Sequence, residues 1–244
     1  MKIKGGLYFV VDITAVERLG LERLCEIVEK ALNGGVDVIQ LWADKSAWEI
    51  NFEKFSDATK KLIEIAHKYD VPVLIANDIE LCAKFNADGV HLDGYEIPDK
   101  SCDEIRKIIG YDKIIGITCG NDIKKIEWAK ENKVDYISFC SIFPSSSVDS
   151  CEIVPLEMIR RAKEILGEDI PVFASGGITI ENMGDVITAG ADGIAVVSAI
   201  MKAENPDYLN LTPKPRKEPP NGNFSNFFIP KIFGKTAHLQ SRNS

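Results

Sequence analysis

Carboxylate-bearing residues follow two neighbouring strand-like runs of the chain. Asn77-Asp78 ends one run, and Asp93 and Glu96 follow the next run along the sequence. If both runs are parallel strands, their carboxyl ends lie at the same edge of the sheet, so the carboxylates converge. Such oxygen ligands suit Mg²⁺, which binds one or two carboxylates together with substrate phosphates. The alternative is that Asp78 caps the helix after it, and the two roles can coexist.

A phosphate-binding pattern follows the last two strand-like runs. Ser175-Gly176-Gly177-Ile178 comes after one of them, and Val197-Ser198 after the other. Barrels often bind phosphate at these positions through backbone N–H groups and a short helix N-terminus, although a Gly-Gly pair can also simply end a strand. Upstream, Ser145-Ser146-Ser147 offers hydroxyl donors for phosphate oxygens and is equally typical of a flexible linker.

Other candidate residues have two interpretations each. His91 lies in an apolar run, where we favour a hydrogen-bonded core histidine over a general acid or base. Trp42 ends a run and either stacks on a flat heterocycle or fills the core. None of the six cysteines forms a C-x-x-C pair and the three histidines are scattered, which argues against a zinc site. Cys119 and Cys140 stand at strand ends, so thiol chemistry there stays open.

Eight apolar runs alternate with helical segments between residues 7 and 197. The runs are rich in Val and Ile, and seven of them precede a segment with helical spacing, such as 102–109 and 156–166. Continuous apolar strands that alternate with helices indicate a parallel sheet covered by helices. Eight units in about 200 residues favour a (β/α)₈ TIM barrel over an open doubly wound sheet, with any chemistry at the carboxyl ends of the strands.

The composition and net charge argue against some classes of binding partner. The chain is 45% hydrophobic and 27% charged, which is ordinary for a globular domain. A net charge of −8 argues against nucleic acid or an anionic membrane as the main partner. The sequence has no apolar run of about 18 residues and no recognisable signal peptide, so we expect a cytoplasmic protein with reduced thiols. Homo-oligomerisation stays open.

The charge is unevenly divided between a body, residues 1–202, and a tail, residues 203–244. The tail holds six Lys/Arg and three Asp/Glu, a net charge of +3, so the body carries −11. Six of the eleven prolines and four of the eleven phenylalanines also lie in the tail. We therefore expect a barrel over 1–202 and an irregular, Pro-rich basic extension over 203–244.

An ordered set of segments over about residues 6 to 202 resembles the thiamine phosphate synthase family, which shares its barrel with the thiazole tautomerase TenI. No single segment is specific, but their order is. The matching segments are Gly34-Gly35-Val36 through Gln40-Leu41, Val73 through Asn77-Asp78, Ala87 through Leu92, Asp135-Tyr136-Ile137, Ile142-Phe143-Pro144, Gly176-Gly177-Ile178 and Gly190 through Ile200.

The resemblance implies a transferase of thiamine biosynthesis, acting on small phosphorylated heterocycles. It would join a hydroxymethylpyrimidine diphosphate to a thiazole phosphate and release pyrophosphate. Asp78 would bind Mg²⁺ on the diphosphate, and the second carboxylate falls on Glu96, with Asp93 as the alternative. The substrate contacts that the resemblance implies are Gln40 and Asn77 at the pyrimidine, Thr118 at the family's serine position, and Gly177, Val197, Ser198, Ser145 and Ser147 at the thiazole phosphate.

The chain departs from the family pattern at cationic positions. The family's Gln-Leu-Arg-x-Lys segment has Trp42 and Asp44 in place of Arg and Lys, with Lys45 one residue late, and Val148 replaces a further Lys. Two alternatives to the synthase therefore remain: a TenI-like tautomerase, although that branch's histidine corresponds to Gly120 here, and a non-catalytic protein that binds a phosphorylated ligand.

Overall fold

Eight parallel strands form a closed barrel in chain order in the computed structural model, which describes residues 2–94, 96–144, 152–179 and 181–201. Strand β1 (Gly6–Asp12) pairs with both β2 (Val38–Trp42) and β8 (Gly193–Val196). This closure confirms the predicted (β/α)₈ barrel and excludes the open sheet. Ser145, Ser147, Val148 and the predicted tail at 203–244 lie outside the described residues.

Helices follow the strands around the outside of the barrel. The other strands are β3 (Val73–Ala76), β4 (Gly89–Leu92), β5 (Ile114–Thr118), β6 (Tyr136–Phe139) and β7 (Val172–Ala174). The helices are α1 (Ala15–Leu19), α2 (Leu21–Asn33), α3 (Lys45–Ile50), α4 (Phe52–His67), α5 (Ile79–Phe85), α6 (Cys102–Ile109), α7 (Ile123–Glu131), α8 (Leu156–Leu166), α9 (Met183–Thr188) and α10 (Ser198–Met201). The predicted helices at 102–109 and 156–166 have the observed bounds.

Successive side chains along each strand point to opposite faces of the sheet, which produces two separate apolar layers. In β1, Leu7, Phe9 and Val11 point outward and pack in the large core between strands and helices. Tyr8 points inward and packs in a smaller cluster inside the barrel, with Leu74, Ile114, Tyr136 and Phe173 among its members. The inner cluster fills the amino-terminal half of the barrel, so a ligand can enter only from the carboxyl-terminal half.

Two inward-facing glycines make room for the aromatic rings inside the barrel. A Cβ atom at Gly116 in β5 would lie 2.1 Å from Cζ of Tyr136, and one at Gly193 in β8 would lie 2.3 Å from Cε1 of Phe173. Such distances are far below van der Waals contact, so a side chain at either position would displace the neighbouring ring.

A repeated aspartate ties the strands together at the opposite end of the barrel. The residue directly before each even-numbered strand accepts a hydrogen bond from a backbone N–H of the preceding strand, at 2.8–2.9 Å. The four pairs are Asp37 with Leu7, Asp88 with Val73, Asp135 with Ile115 and Asp192 with Val172. Hydrogen bonds to a charged acceptor are among the stronger ones in proteins, so these pairs stabilise the barrel away from the cavity.

Candidate active site

A cavity of about 1280 Å³ occupies the carboxyl-terminal end of the barrel. Its wall is built from the last inward-facing residues of the strands, such as Asp12, Trp42 and Val197. Tyr8, Tyr136 and Phe173 form its floor, because their rings close the barrel below it. The site therefore lies where the sequence pattern predicts chemistry, above a packed aromatic layer.

Hydrogen bonds between side chains run across this floor from β2 to β4. The Tyr8 hydroxyl donates to Oε1 of Gln40 at 2.7 Å and lies 2.8 Å from the Tyr136 hydroxyl. The Tyr136 hydroxyl in turn lies 2.7 Å from Nδ1 of His91. Burial raises the pKa of both tyrosines well above the ordinary value, so both phenols stay protonated.

The hydrogen bonds continue from His91 to β5 and β6. Nε2 of His91 lies 3.0 Å from Oγ1 of Thr118, which lies 2.9 Å from Oγ of Ser138. Burial lowers the pKa of His91 to about 4, against the opposing effect of the Asp93 carboxylate, so the imidazole is neutral near pH 7. Both ring nitrogens have partners, which confirms the predicted core histidine and makes His91 a poor general base.

Four of the predicted substrate-binding residues line the cavity. They are Gln40, Thr118, Val197 and Ser198. Gln40 and Thr118 are buried in the floor, whereas Val197 and Ser198 stand at the end of β8 and the start of α10. Trp42 also lines the cavity from the end of β2, which keeps its predicted stacking role open.

The predicted metal ligands lie at the ends of β3 and β4. Oδ1 of Asp78 accepts from the N–H of Leu81 at 2.8 Å, which confirms the helix-capping alternative. The Asn77 side chain is exposed, and its Oδ1 accepts from the N–H of Asp93 at 2.6 Å, which ties the two loops together. Asp93 lines the cavity, whereas Glu96 is exposed on the same loop. Within the described ranges, no group of three His, Cys, Asp or Glu side chains could hold a metal ion.

The Gly176-Gly177 pair after β7 packs against the loop after β6. Both glycines have positive φ angles, and a Cβ atom would lie 2.5 Å from the Ser141 nitrogen or 2.6 Å from the Pro144 oxygen, respectively. Close backbone approach therefore requires glycine at both positions whether or not a ligand is bound. Pro144 is the residue directly before the predicted Ser145-Ser146-Ser147 segment in the sequence.

Comparison with known proteins identifies the family. The profile of the thiamine monophosphate synthase family matches residues 7–200, a range that runs from strand β1 into helix α10. The chain belongs to this family. The resemblance found in the sequence is therefore confirmed, and so is the main functional prediction, an enzyme of the transferase class in thiamine biosynthesis.

Individual relatives agree with this assignment. A thiamine-phosphate synthase of Methanobrevibacter smithii is 39% identical over 201 residues, covering 82% of this chain and 89% of the relative. The thiamine-phosphate synthase of Nitrosococcus oceani is 37% identical over 200 residues, covering 82% of this chain and 87% of the relative. The solved structure of a thiamine phosphate pyrophosphorylase from Pyrococcus furiosus has a TM-score of 0.66 and 28% identity, covering 86% of this chain and 93% of that one.

This member of the thiamine monophosphate synthase family has an acidic cavity. Asp44 and Lys45 are exposed at the start of α3, outside the cavity wall, so Lys45 does not replace the missing family cations. Among the described cavity-lining residues, Arg18 of α1 is the only Lys or Arg. The same set contains five carboxylates, namely Asp12, Glu17, Asp93, Asp122 and Glu152.

Sequence reasoning missed Tyr8, Tyr136 and Ser138 in the cavity floor. Chemistry was expected only at the carboxyl ends of the strands, whereas Tyr8, Tyr136 and Ser138 lie four, three and one positions before the last residue of their strands. Alternation was an available signal, because Tyr8 precedes Val10 and Asp12 by two and four positions on the same face. It also missed Arg18, because the five-residue helix α1 is too short to show a helical period.

Two further groups near the cavity have shifted pKa values. Burial raises the pKa of the Cys119 thiol to about 12, which argues against thiol chemistry at Cys119 but not at Cys140, the other cysteine of that expectation. Lys125 of α7 is buried, its pKa is lowered by burial, and its Nζ donates to the backbone oxygen of Gly94 in the loop after β4. Lys125 therefore supports the loop that carries Asp93.

No helix in the described part of the chain is long and apolar enough to cross a membrane.

Proposed function

We propose that this chain is a thiamine phosphate synthase. It joins a hydroxymethylpyrimidine diphosphate to a thiazole phosphate in the barrel cavity and releases pyrophosphate. The observation that carries the proposal is the position of Gln40, Thr118, Val197 and Ser198 around one cavity, in a chain whose residues 7–200 match the family. A cavity of about 1280 Å³ has room for two small phosphorylated rings. We further propose that the protein acts in the cytoplasm.

The ends of β3 and β4 fit a Mg²⁺ ion. Oδ1 of Asp78 caps α5, which leaves the second oxygen of that carboxylate for a ligand, and the hydrogen bond from Asp93 to Asn77 holds the next loop beside it. Mg²⁺ needs only one or two carboxylates when substrate phosphates complete its coordination, so a cluster of three acidic residues is not required. Asp78 would hold the ion with Glu96 or Asp93. Bound there, the ion would neutralise charge on the diphosphate leaving group.

The opposite side of the cavity suits the thiazole phosphate. Val197 and Ser198 lead into α10, whose first N–H groups have no partner within the helix. Gly177 and Pro144 are in close contact, and Pro144 directly precedes the segment of Ser145 and Ser147 in the sequence. We propose that these groups bind one phosphate through N–H and hydroxyl donors and hold the thiazole nitrogen toward the pyrimidine.

The acidic wall matches the direction of charge movement in this reaction. A bond forms between the thiazole nitrogen and the pyrimidine methylene carbon, while the carbon–oxygen bond to the diphosphate breaks and its electron pair leaves with pyrophosphate. The organic product becomes positively charged, and carboxylates such as Asp12 and Asp122 favour that charge. The same carboxylates oppose the diphosphate, which makes the binding of the anion depend on Mg²⁺ and on Arg18.

An assay of the full-length chain with both substrates tests this proposal. Thiamine phosphate should form with Mg²⁺ and should not form with EDTA in excess. Asp78→Asn separates the two roles of Asp78, because asparagine still caps a helix but lacks the carboxylate. We expect this variant to keep its unfolding midpoint and to lose activity by about a hundredfold or more. Asp57→Asn, on the outer helix α4, is the control.

The shortage of cations for a diphosphate, with Arg18 the only Lys or Arg among the described lining residues, supports a second candidate, a non-catalytic protein that binds a phosphorylated ligand. Such a protein would bind the thiazole phosphate in calorimetry without forming thiamine phosphate, and Mg²⁺ would not change its affinity. That combination of results would rule out the synthase. The tautomerase alternative lacks comparable support, because Gly120 offers no side chain at the position of that branch's histidine.

A further inference from the structure

The hydrogen bonds in the cavity floor form one unbroken chain whose two ends both face the cavity. In order, it contains Gln40, Tyr8, Tyr136, His91, Thr118 and Ser138. All six residues line the cavity, although they come from strands β1, β2, β4, β5 and β6. The His91 and Tyr136 rings stack at 17° with centroids 5.5 Å apart, which fixes the middle of the chain.

Each inner member has only one hydrogen to donate. A hydroxyl carries one hydrogen, and so does the ring of a neutral histidine. Tyr8 donates to Oε1 of Gln40, so the hydrogen between the two tyrosines must come from Tyr136. The hydrogen of Tyr136 is then used, so Nδ1–H of His91 must donate to Tyr136.

The same reasoning settles the second half of the chain. With Nδ1 protonated, Nε2 of neutral His91 is an acceptor, so Thr118 donates to it. Thr118 then accepts from Ser138, whose Oγ also lies 3.5 Å from Nε2. The hydrogen of Ser138 is thus directed into the chain, and its lone pairs are left for the cavity. At the other end, the NH₂ group of Gln40 is left for the cavity as a donor.

A glutamine amide has two orientations that differ by exchange of oxygen and nitrogen. Turning the Gln40 amide over would reverse every hydrogen bond in the chain, including the tautomer of His91. Gln40 would then offer an acceptor to the cavity and Ser138 a donor. A mixed arrangement would leave two hydrogens, or two lone pairs, facing each other inside a buried network, which is costly.

We propose that this chain is a specificity device, in which Tyr8 and Tyr136 act as positioning residues that couple the hydrogen-bonding character of Gln40 to that of Ser138. In the direction found here, the cavity accepts a heterocycle with a ring-nitrogen acceptor toward Gln40 and an amino donor toward Ser138. The inference rests on the proposed function for the identity of the ring, an aminopyrimidine. The coupling itself does not depend on catalysis.

The His91 tautomer provides a test that is independent of activity. Long-range ¹H–¹⁵N spectra of the full-length protein at pH 7, with His91 assigned by its absence in His91→Gln, should show Nδ1 protonated and Nε2 bare. In Tyr8→Phe, the Tyr136 hydroxyl loses its acceptor and turns toward Nδ1, so the tautomer should shift to Nε2–H. Tyr136→Phe should cause the same shift if Tyr8→Phe does not fold. An Nε2–H tautomer in the unaltered protein, or no shift in a folded variant, overturns the proposal.

Substrate discrimination tests the consequence for specificity. The unaltered enzyme should prefer the 4-aminopyrimidine diphosphate over its 4-oxo analogue, in which donor and acceptor are exchanged. In Tyr8→Phe, this ratio of kcat/KM values should fall about tenfold, mainly through KM for the pyrimidine, while KM for the thiazole phosphate stays within twofold. Tyr111→Phe, which alters an exposed tyrosine, is the matched control and should change neither ratio nor tautomer. An unchanged ratio in active Tyr8→Phe contradicts the device, whereas inactivity of the unaltered protein with the expected tautomer contradicts only the synthase function.

Discussion

Gly116 and Tyr136 face each other across the β5–β6 pair so closely that a Cβ atom on Gly116 would lie 2.1 Å from Cζ of the tyrosine. The same tyrosine is central to the cavity floor, where its hydroxyl lies between Tyr8 and His91. The small residue on one strand therefore sets the position of a large one on the next, and through it the shape of the site.

Replacing Gly116 with alanine should damage both stability and the cavity floor. The added methyl group must displace the buried Tyr136 ring, and overpacking of this kind costs about 1–3 kcal/mol. Chemical denaturation should show that loss in the free energy of unfolding. Gly184→Ala is the control, because its Cβ atom would meet nothing within 4 Å and alanine favours the helix. Equal stability of the two variants would contradict the packing argument.

Asp135 should contribute to stability and not to activity. Its Oδ2 accepts from the N–H of Ile115 and from the guanidinium of Arg106, both at 2.8 Å, at the end of the barrel away from the cavity. We expect Asp135→Asn to lower the free energy of unfolding by about 1.5–3 kcal/mol, the usual range for hydrogen bonds to charged groups. The exposed Asp169→Asn is the control. A loss of kcat without a loss of stability would contradict the structural role.

The barrel was predictable because its repeating unit is encoded locally. Strand β4 (Gly89–Leu92) and helix α6 (Cys102–Ile109) have their predicted bounds, since apolar runs and helical spacing depend on neighbouring residues. Helices α1 and α3 were missed because five or six residues do not complete two helical turns. The pairing of β1 with β8 that closes the barrel was predicted from the count of eight strand–helix units. No individual residue indicated it.

The site was predictable only in part. Gln40 and Thr118 were found because they stand near strand ends, where barrels carry chemistry. The network that joins them was missed, since it brings together Tyr8 and Tyr136, 128 residues apart, and alternation shows which residues point inward but not which of them meet. The exposure of Glu96 likewise depends on the course of a loop, which has no period to reveal it.

Arg18 should be important for the diphosphate substrate. It is the only Lys or Arg among the described cavity-lining residues, beside five carboxylates. Under the proposed function, Arg18→Ala should raise KM for the pyrimidine diphosphate about five- to twentyfold. This is the effect of losing one charge-assisted contact that solvent exposure has weakened. Mg²⁺ and salt ions both screen the charge of the diphosphate. The effect on KM should therefore grow when Mg²⁺ is lowered and shrink when salt is raised. Arg23→Ala, which removes a surface ion pair with Glu26, is the control, and a similar KM for both variants would argue against this role.

Cys119 should resist alkylation in the folded protein although it lines the cavity. Its thiol is buried, and burial raises its pKa to about 12, so at pH 8 only about one thiol in ten thousand is the reactive thiolate. We expect iodoacetamide to label Cys119 about a thousand times more slowly than after denaturation, as followed by mass spectrometry of its peptide. Because the pKa is raised, labelling should keep increasing from pH 7 to pH 10 without a plateau. Rapid labelling that levels off below pH 9 would reveal a Cys119 thiolate in the cavity and would restore thiol chemistry at this residue.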